Sequence, residues 1–264
     1  MEPPYQHLSA DHWRPVTEQL IAEYPLSLDT IRDVALETWE MLWTTRIGVG
    51  EAAINLSEID VPAPVVGYFF ERLFARALGT RTNGEWRGQS TKDEKDLVYP
   101  GNRRFDTEIK SSGQLGTKIF GNRSYGMSNE DSAEADKVEK SGYYITVNFY
   151  QRTLNLLRFG WIDFDDWIPQ KSAKGQAATL GEDVYKYKLI AIPGEYRANA
   201  RVGIVRGVGS SALATLHTLG ITTVAQLANH GNLETRIRGF AAMQQNAREF
   251  LGSRELPPSD PSLL

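Results

Sequence analysis

Over the first eighty residues apolar side chains recur every three or four positions, and after Ser90 the period shortens toward two. The longer period predicts helices over Ala10–Glu23, Leu28–Arg46 and Val65–Leu78. Tyr24-Pro25 separates the first two, Ser27 stands where an N-cap is needed, and Pro62 and Pro64 introduce the third. The first nine residues have no period and read as loose. The shorter period predicts a hairpin in which Lys95–Tyr99 and Phe105–Lys110 flank the turn signal Pro100-Gly101-Asn102. Two further strands are expected at Tyr143–Tyr150 and Leu154–Trp161, and a last one at Tyr185–Ile192. Between them lie a polar loop, Lys118–Gly126, and a flexible connection, Lys171–Gln176. Past Pro193-Gly194 a helical period returns. The pattern therefore predicts an α/β protein with a small all-helical domain at the C-terminus. The expected boundaries are residues 1–194, 195–254 and a flexible tail, 255–264.

Candidate chemistry sits in the hairpin. If Tyr99 faces Phe105, then Asp96 faces Glu108, and strand alternation puts Lys110 on the face of Glu108. Two carboxylates and an ammonium then share one patch at cross-strand distance. Mg²⁺ and similar hard cations bind through one or two carboxylates together with substrate phosphate oxygens. Asp96 and Glu108 are thus candidate metal ligands, and the carbonyl of Ile109 is a third. Lys110 would stand beside an attacking water as a positive charge. The bland alternative is a solvated Glu-x-Lys pair on an exposed strand. A second acidic group, Asp163, Asp165 and Asp166, has Trp161, Phe164 and Trp167 around it. No lysine or histidine accompanies it in sequence, and it reads as a capped, packed corner.

Composition narrows the function without choosing it. Hydrophobic residues make up 41% and charged residues 23% of the 264, as expected of a soluble globular protein. No apolar run reaches transmembrane length, and the Met-Glu-Pro-Pro start lacks a secretory signal. The absence of cysteine excludes disulfides and thiolate metal sites and fits a cytoplasmic protein. The four histidines lack zinc-ligand spacing, and no phosphate-binding Gly-x-x-x-x-Gly-Lys string occurs. A net charge of −4 argues against a nonspecific DNA coater, yet from Arg81 to Tyr125 basic residues exceed acidic ones by three.

The acid, acid and lysine set resembles the PD-(D/E)xK nuclease signature, with Lys95 where a proline usually precedes the first Asp. The strings Val66-Gly67-Tyr68-Phe69-Phe70-Glu71, Lys95–Tyr99 and Glu108–Gln114 follow one another in family order. They continue through Ile119–Gly126, Ser141–Tyr144 and Arg158–Asp163. Together they resemble the ScaI-type family of type II restriction endonucleases over roughly Gly50 to Pro193. The resemblance implies a restriction-endonuclease-like core, a mixed central sheet flanked by helices, and Mg²⁺-dependent cleavage of double-stranded DNA at a short specific sequence. It also implies a symmetric homodimer and a cognate DNA methyltransferase. It suggests Glu71 as a helix glutamate completing the metal environment, against the alternative of a surface ion pair. Gln114, Asn122, Arg123, Ser124 and Tyr125 become candidates for DNA contact.

Beyond that region, Val205-Arg206-Gly207-Val208-Gly209 precedes a helical run ending at Gly220, and Ile221–Ala228 starts another. This resembles a helix-hairpin-helix element, in which Arg206, Gly207 and Gly209 would offer charge and backbone N–H groups to a phosphate. Its first helix is short at best, although basic residues exceed acidic ones by four from Tyr196 to Phe240. Two other functions remain open at this stage: a structure-selective repair or recombination nuclease, and a non-catalytic DNA-binding protein on the same fold.

Overall fold

The computed structural model describes residues 3–121, 140–169, 177–231 and 237–256. Three helices lead: α1 (Trp13–Glu23), α2 (Leu28–Thr44) and α3 (Ala63–Arg81). Ser27 caps α2 by accepting from the Thr30 N–H at 3.0 Å, as its position predicts. A two-stranded ribbon, β1 (Arg46–Ile47) and β2 (Ile54–Asn55), joins α2 to α3.

The central sheet has six strands among the described residues: β3 (Arg87–Gly88), β4 (Leu97–Val98), β5 (Thr107–Ser112), β7 (Gly142–Tyr150), β8 (Thr153–Ile162) and β11 (Leu189–Ala191). Their order is β11-β8-β7-β5-β4-β3. Only the β5–β7 pairing is parallel, so the sheet is mixed, as expected. A smaller sheet is formed by β6 (Phe120–Gly121), β9 (Trp167–Pro169) and β10 (Ala178–Leu180).

Alternation along β7 and β8 assigns residues to two faces. Tyr143, Ile145, Val147, Leu157 and Phe159 join the core built with α1, α2 and α3. Leu156 of β8 and Ala191 of β11 join a second core with the C-terminal helices α4 (Ser210–Thr218), α5 (Val224–Asn229) and α6 (Phe240–Gly252). Tyr144 and Ile162 join a third, with the small sheet. Covered on both faces, β7 and β8 are buried along almost their whole length and most of their residues are apolar, as a central strand requires. Full burial of side chains such as Phe74 or Ile145 contributes about 1.5–3 kcal/mol each. Gly160 is required in β8, because a Cβ there would lie 1.9 Å from the carbonyl oxygen of Lys188.

Three sequence expectations need correction. Residues 3–9 are anchored: Tyr5 is buried, with its hydroxyl 2.8 Å from Thr17 Oγ1. The predicted strand Tyr185–Ile192 is shorter, since Val184–Lys188 forms a π-helical turn before β11. Asp163 and Asp166 do cap a helical turn, but a lysine accompanies them. Lys188 Nζ, almost fully buried, lies 2.8 Å from Asp163 Oδ2 and from both carboxylate oxygens of Asp166. It also lies 4.1 Å from the centre of the Tyr5 ring and 4.4 Å from that of Trp13. Burial raises the Asp166 carboxyl above its usual range despite that ammonium. The sequence hides this cluster because its acids and its base are more than twenty residues apart.

Candidate active site

The hairpin register holds where it matters. Leu97 pairs with Thr107, so continuing the ladder sets Asp96 opposite Glu108, and the Ile109 N–H donates to Asp96 Oδ2 at 2.8 Å. The turn differs from a tight hairpin. Arg103–Phe105 forms a 3₁₀ turn capped by Asn102, and the Tyr99 N–H donates to Asp106 Oδ1 at 2.9 Å rather than to the facing strand. Tyr99 and Phe105 still meet edge to face, 6.1 Å apart.

Glu108 and Lys110 lie on one face of β5 and form an ion pair, both side chains less than one fifth exposed. The third acid comes from α3. That helix approaches β5 closely at Gly67, where a Cβ would fall 2.3 Å from Ser111 Oγ. One turn later on the same side, Glu71 stands beside Asp96, near enough to act on its carboxyl. Burial, then the charge of Glu108, then Glu71 drive the Asp96 carboxyl up to about 9, and Lys110 only partly opposes them. Glu71 therefore stands beside Asp96 at the edge of the site.

Lys95, at the position of the family proline, has its own structural use. Its Nζ donates to the Ser141 carbonyl at 2.7 Å, tying the start of β4 to the start of β7 beneath β5. Desolvation lowers its ammonium to about 8 against the pull of Glu108 and Asp106. Lys95 and Asp106 also line a cavity of about 570 Å³ with Tyr5, Trp13, Trp161 and Lys188, to which Asp96, Glu108 and Lys110 contribute nothing.

The donor set suits a hard divalent cation: two adjacent carboxylates carry a charge burden that a cation relieves, and a main-chain carbonyl lies between Glu108 and Lys110. Among the described residues no three His, Asp or Glu side chains are grouped so as to hold an ion by themselves. A cation here would complete its shell with carbonyl, water and phosphate oxygens.

The remaining candidates are spread over the molecule. Gln114 is exposed just past the end of β5. Asn122, Arg123, Ser124 and Tyr125 lie outside the described residues. Arg206 is exposed, and Gly207 takes the left-handed φ of +87° before α4, its turn fixed by Asn246 Nδ2 donating to the Arg206 carbonyl at 2.8 Å. Gly209 directly precedes that helix. Sequence reasoning missed Asn148, Arg158 and Tyr185, which are buried against the segment following β5. For Asn148 and Arg158 the available signal was a polar or charged residue within a mostly apolar strand.

A mixed central sheet flanked by helices is consistent with a restriction-endonuclease-like fold. The family model for the ScaI restriction endonuclease matches residues 3–193, and the chain belongs to that family. It is 36% identical over 200 residues to the type II restriction enzyme ScaI of Streptomyces caespitosus, an alignment covering 72% of this chain and 84% of the relative. No solved structure matches. The chain is accordingly a type II restriction endonuclease, a site-specific deoxyribonuclease. Among the described residues no helix is long and apolar enough to cross a membrane.

Proposed function

We propose that this enzyme cleaves duplex DNA in a Mg²⁺-dependent reaction, with Asp96 and Glu108 as metal ligands and the Ile109 carbonyl beside them. The convergence of Asp96, Glu108 and Lys110 on one patch of the sheet, with Glu71 of α3 beside Asp96, carries this reading. Bound Mg²⁺ supplies polarisation of a phosphoryl oxygen and acidification of a water. Lys110 orients the attacking water and offsets negative charge as it develops on the phosphate. Glu71 holds Asp96 in place. Gln114 and the residues Asn122, Arg123, Ser124 and Tyr125 contact the DNA.

The segment beyond residue 193 lies outside the family match and acts as an added DNA-holding module. The exposed Arg206 and the turn at Gly207 and Gly209 face a phosphate there. Cutting both strands of a symmetric site calls for a homodimer. The exposed Val65, Tyr68 and Phe69 on α3 give such a pair apolar surface. A cognate methyltransferase protects the host's own sites, and the enzyme works in the cytoplasm.

The metal assignment is tested without any cleavage. A ligand that binds only the folded state raises Tm by mass action, equivalent to roughly 2.7 kcal/mol at a hundredfold excess over Kd. Adding Mg²⁺ is expected to raise the Tm of the wild type and to leave that of Glu108→Gln unchanged. Equal shifts in both proteins would place the ion elsewhere.

A further inference from the structure

On the face of the sheet that carries Lys110, an unusual polar row crosses three strands. Lys110 of β5 pairs with Thr146 of β7, and Thr146 pairs with Arg158 of β8. Arg158 therefore lies about two strand spacings, roughly 10 Å, from the backbone of Lys110. Asn148 follows on the same face, opposite Ser112. Both Arg158 and Asn148 are wholly buried.

What buries them is the chain itself as it leaves β5. Arg158 Nη1 donates to the Thr117 carbonyl at 3.1 Å and to Asn148 Oδ1 at 2.9 Å. Asn148 Nδ2 donates to the Lys118 carbonyl at 2.9 Å. The Ile119 N–H donates to the Tyr185 hydroxyl at 2.7 Å, and the Arg158 guanidinium lies 5.1 Å from the centre of the Tyr185 ring. Three linked side chains thus grip two consecutive peptide groups. On the far side, Leu115 packs against the C-terminal core, close to Gly203.

This arrangement is an expensive way to fill a core. Among the described residues Arg158 shares its hydrogen bonds with neutral groups only, and its Nε and Nη2 are buried without a partner there. Well-packed apolar residues commonly serve stability as well as a buried charge or better. What the polar cluster adds is position, because each carbonyl and N–H is held at one point relative to Lys110.

We propose that Asn148, Arg158 and Tyr185 are positioning residues that fix Thr117–Ile119 in register with Lys110 and so couple sequence discrimination to cleavage. The inference rests on the reading of the β4–β5 site as the nuclease centre. A segment loose by even an ångström would lose both alignment of the scissile phosphate and rejection of near-matches. Two substitutions isolate the effect. Tyr185→Phe removes only the hydroxyl that receives the Ile119 N–H. Asn148→Asp keeps the acceptor for Arg158, supplies it with a counter-charge, and replaces the donor to the Lys118 carbonyl with an oxygen that repels it.

Each variant is incubated with unmethylated phage DNA and Mg²⁺, and all break ends are sequenced. The expected result is a share of breaks at sequences one base pair removed from the preferred site about fivefold above wild type, the factor one ordinary hydrogen bond commands. The Ile119 amide of Tyr185→Phe should exchange faster, and the Tm of Asn148→Asp should not fall. Unchanged break distributions in both variants, with faster exchange at Ile119, would make the cluster merely structural and overturn the proposal. A wild type that gives no discrete metal-dependent fragments would overturn the nuclease reading itself, and this inference with it.

Discussion

Replacing Asp96 with Asn should reduce cleavage by ~10³-fold or more, the scale seen when a preorganised charge-stabilising group is removed. Asn is nearly isosteric and retains a side-chain oxygen to receive the Ile109 N–H, so the β4–β5 ladder survives. It lacks the charge that a metal requires. The same substitution should hold or raise the Tm of the metal-free enzyme, because it removes a carboxylate buried beside Glu108 and Glu71. Loss of activity with no loss of stability separates a functional acid from a structural one. A metal-free melting point several degrees below wild type, measured by calorimetry, would mean that Asp96 chiefly holds the fold.

Lys188→Met should have the opposite signature. Lys188 lies in the 570 Å³ cavity lining, tied to Asp163 and Asp166 and covered by Tyr5 and Trp13. Its removal leaves two buried carboxylates uncompensated, which costs about 3–5 kcal/mol. At roughly 2–4 °C per kcal/mol for a chain of this size, Tm should fall by about 10 °C. Cleavage per folded molecule at low temperature should stay close to wild type, since Asp96, Glu108 and Lys110 are not part of this cluster. Adding Asp163→Asn and Asp166→Asn to Lys188→Met should restore much of the stability, because the orphaned charges go too. Unfolding curves of the single and triple variants decide this, and a single variant as stable as wild type contradicts it.

The site was legible in the sequence to the extent that it is local. Asp96 and Glu108 share one ladder, so counting across Pro100-Gly101-Asn102 suffices to place them face to face, even though the turn itself is a 3₁₀ segment braced by Asp106. Lys110 follows from alternation alone. Glu71 needed the resemblance, because only the close approach of α3 at Gly67 brings it to Asp96. Lys188 and Arg158 were not legible. Their partners lie in distant segments, Asp163 and Asp166 for one and Thr117 and Asn148 for the other, and no spacing rule links them. The strand predicted at Tyr185 failed for a related reason. Val184 and Tyr185 are apolar enough for a strand, but they pack into the third core, where the chain turns as a π-helical segment with the Lys188 carbonyl over Gly160.

The most direct measurement is incubation of the purified protein with unmethylated plasmid and phage DNA, with and without Mg²⁺, resolved on a gel. The account predicts discrete fragments that appear only with the metal and whose sequenced ends define one short site. Intact DNA in both lanes, or the same fragments when the metal has been chelated, would contradict it.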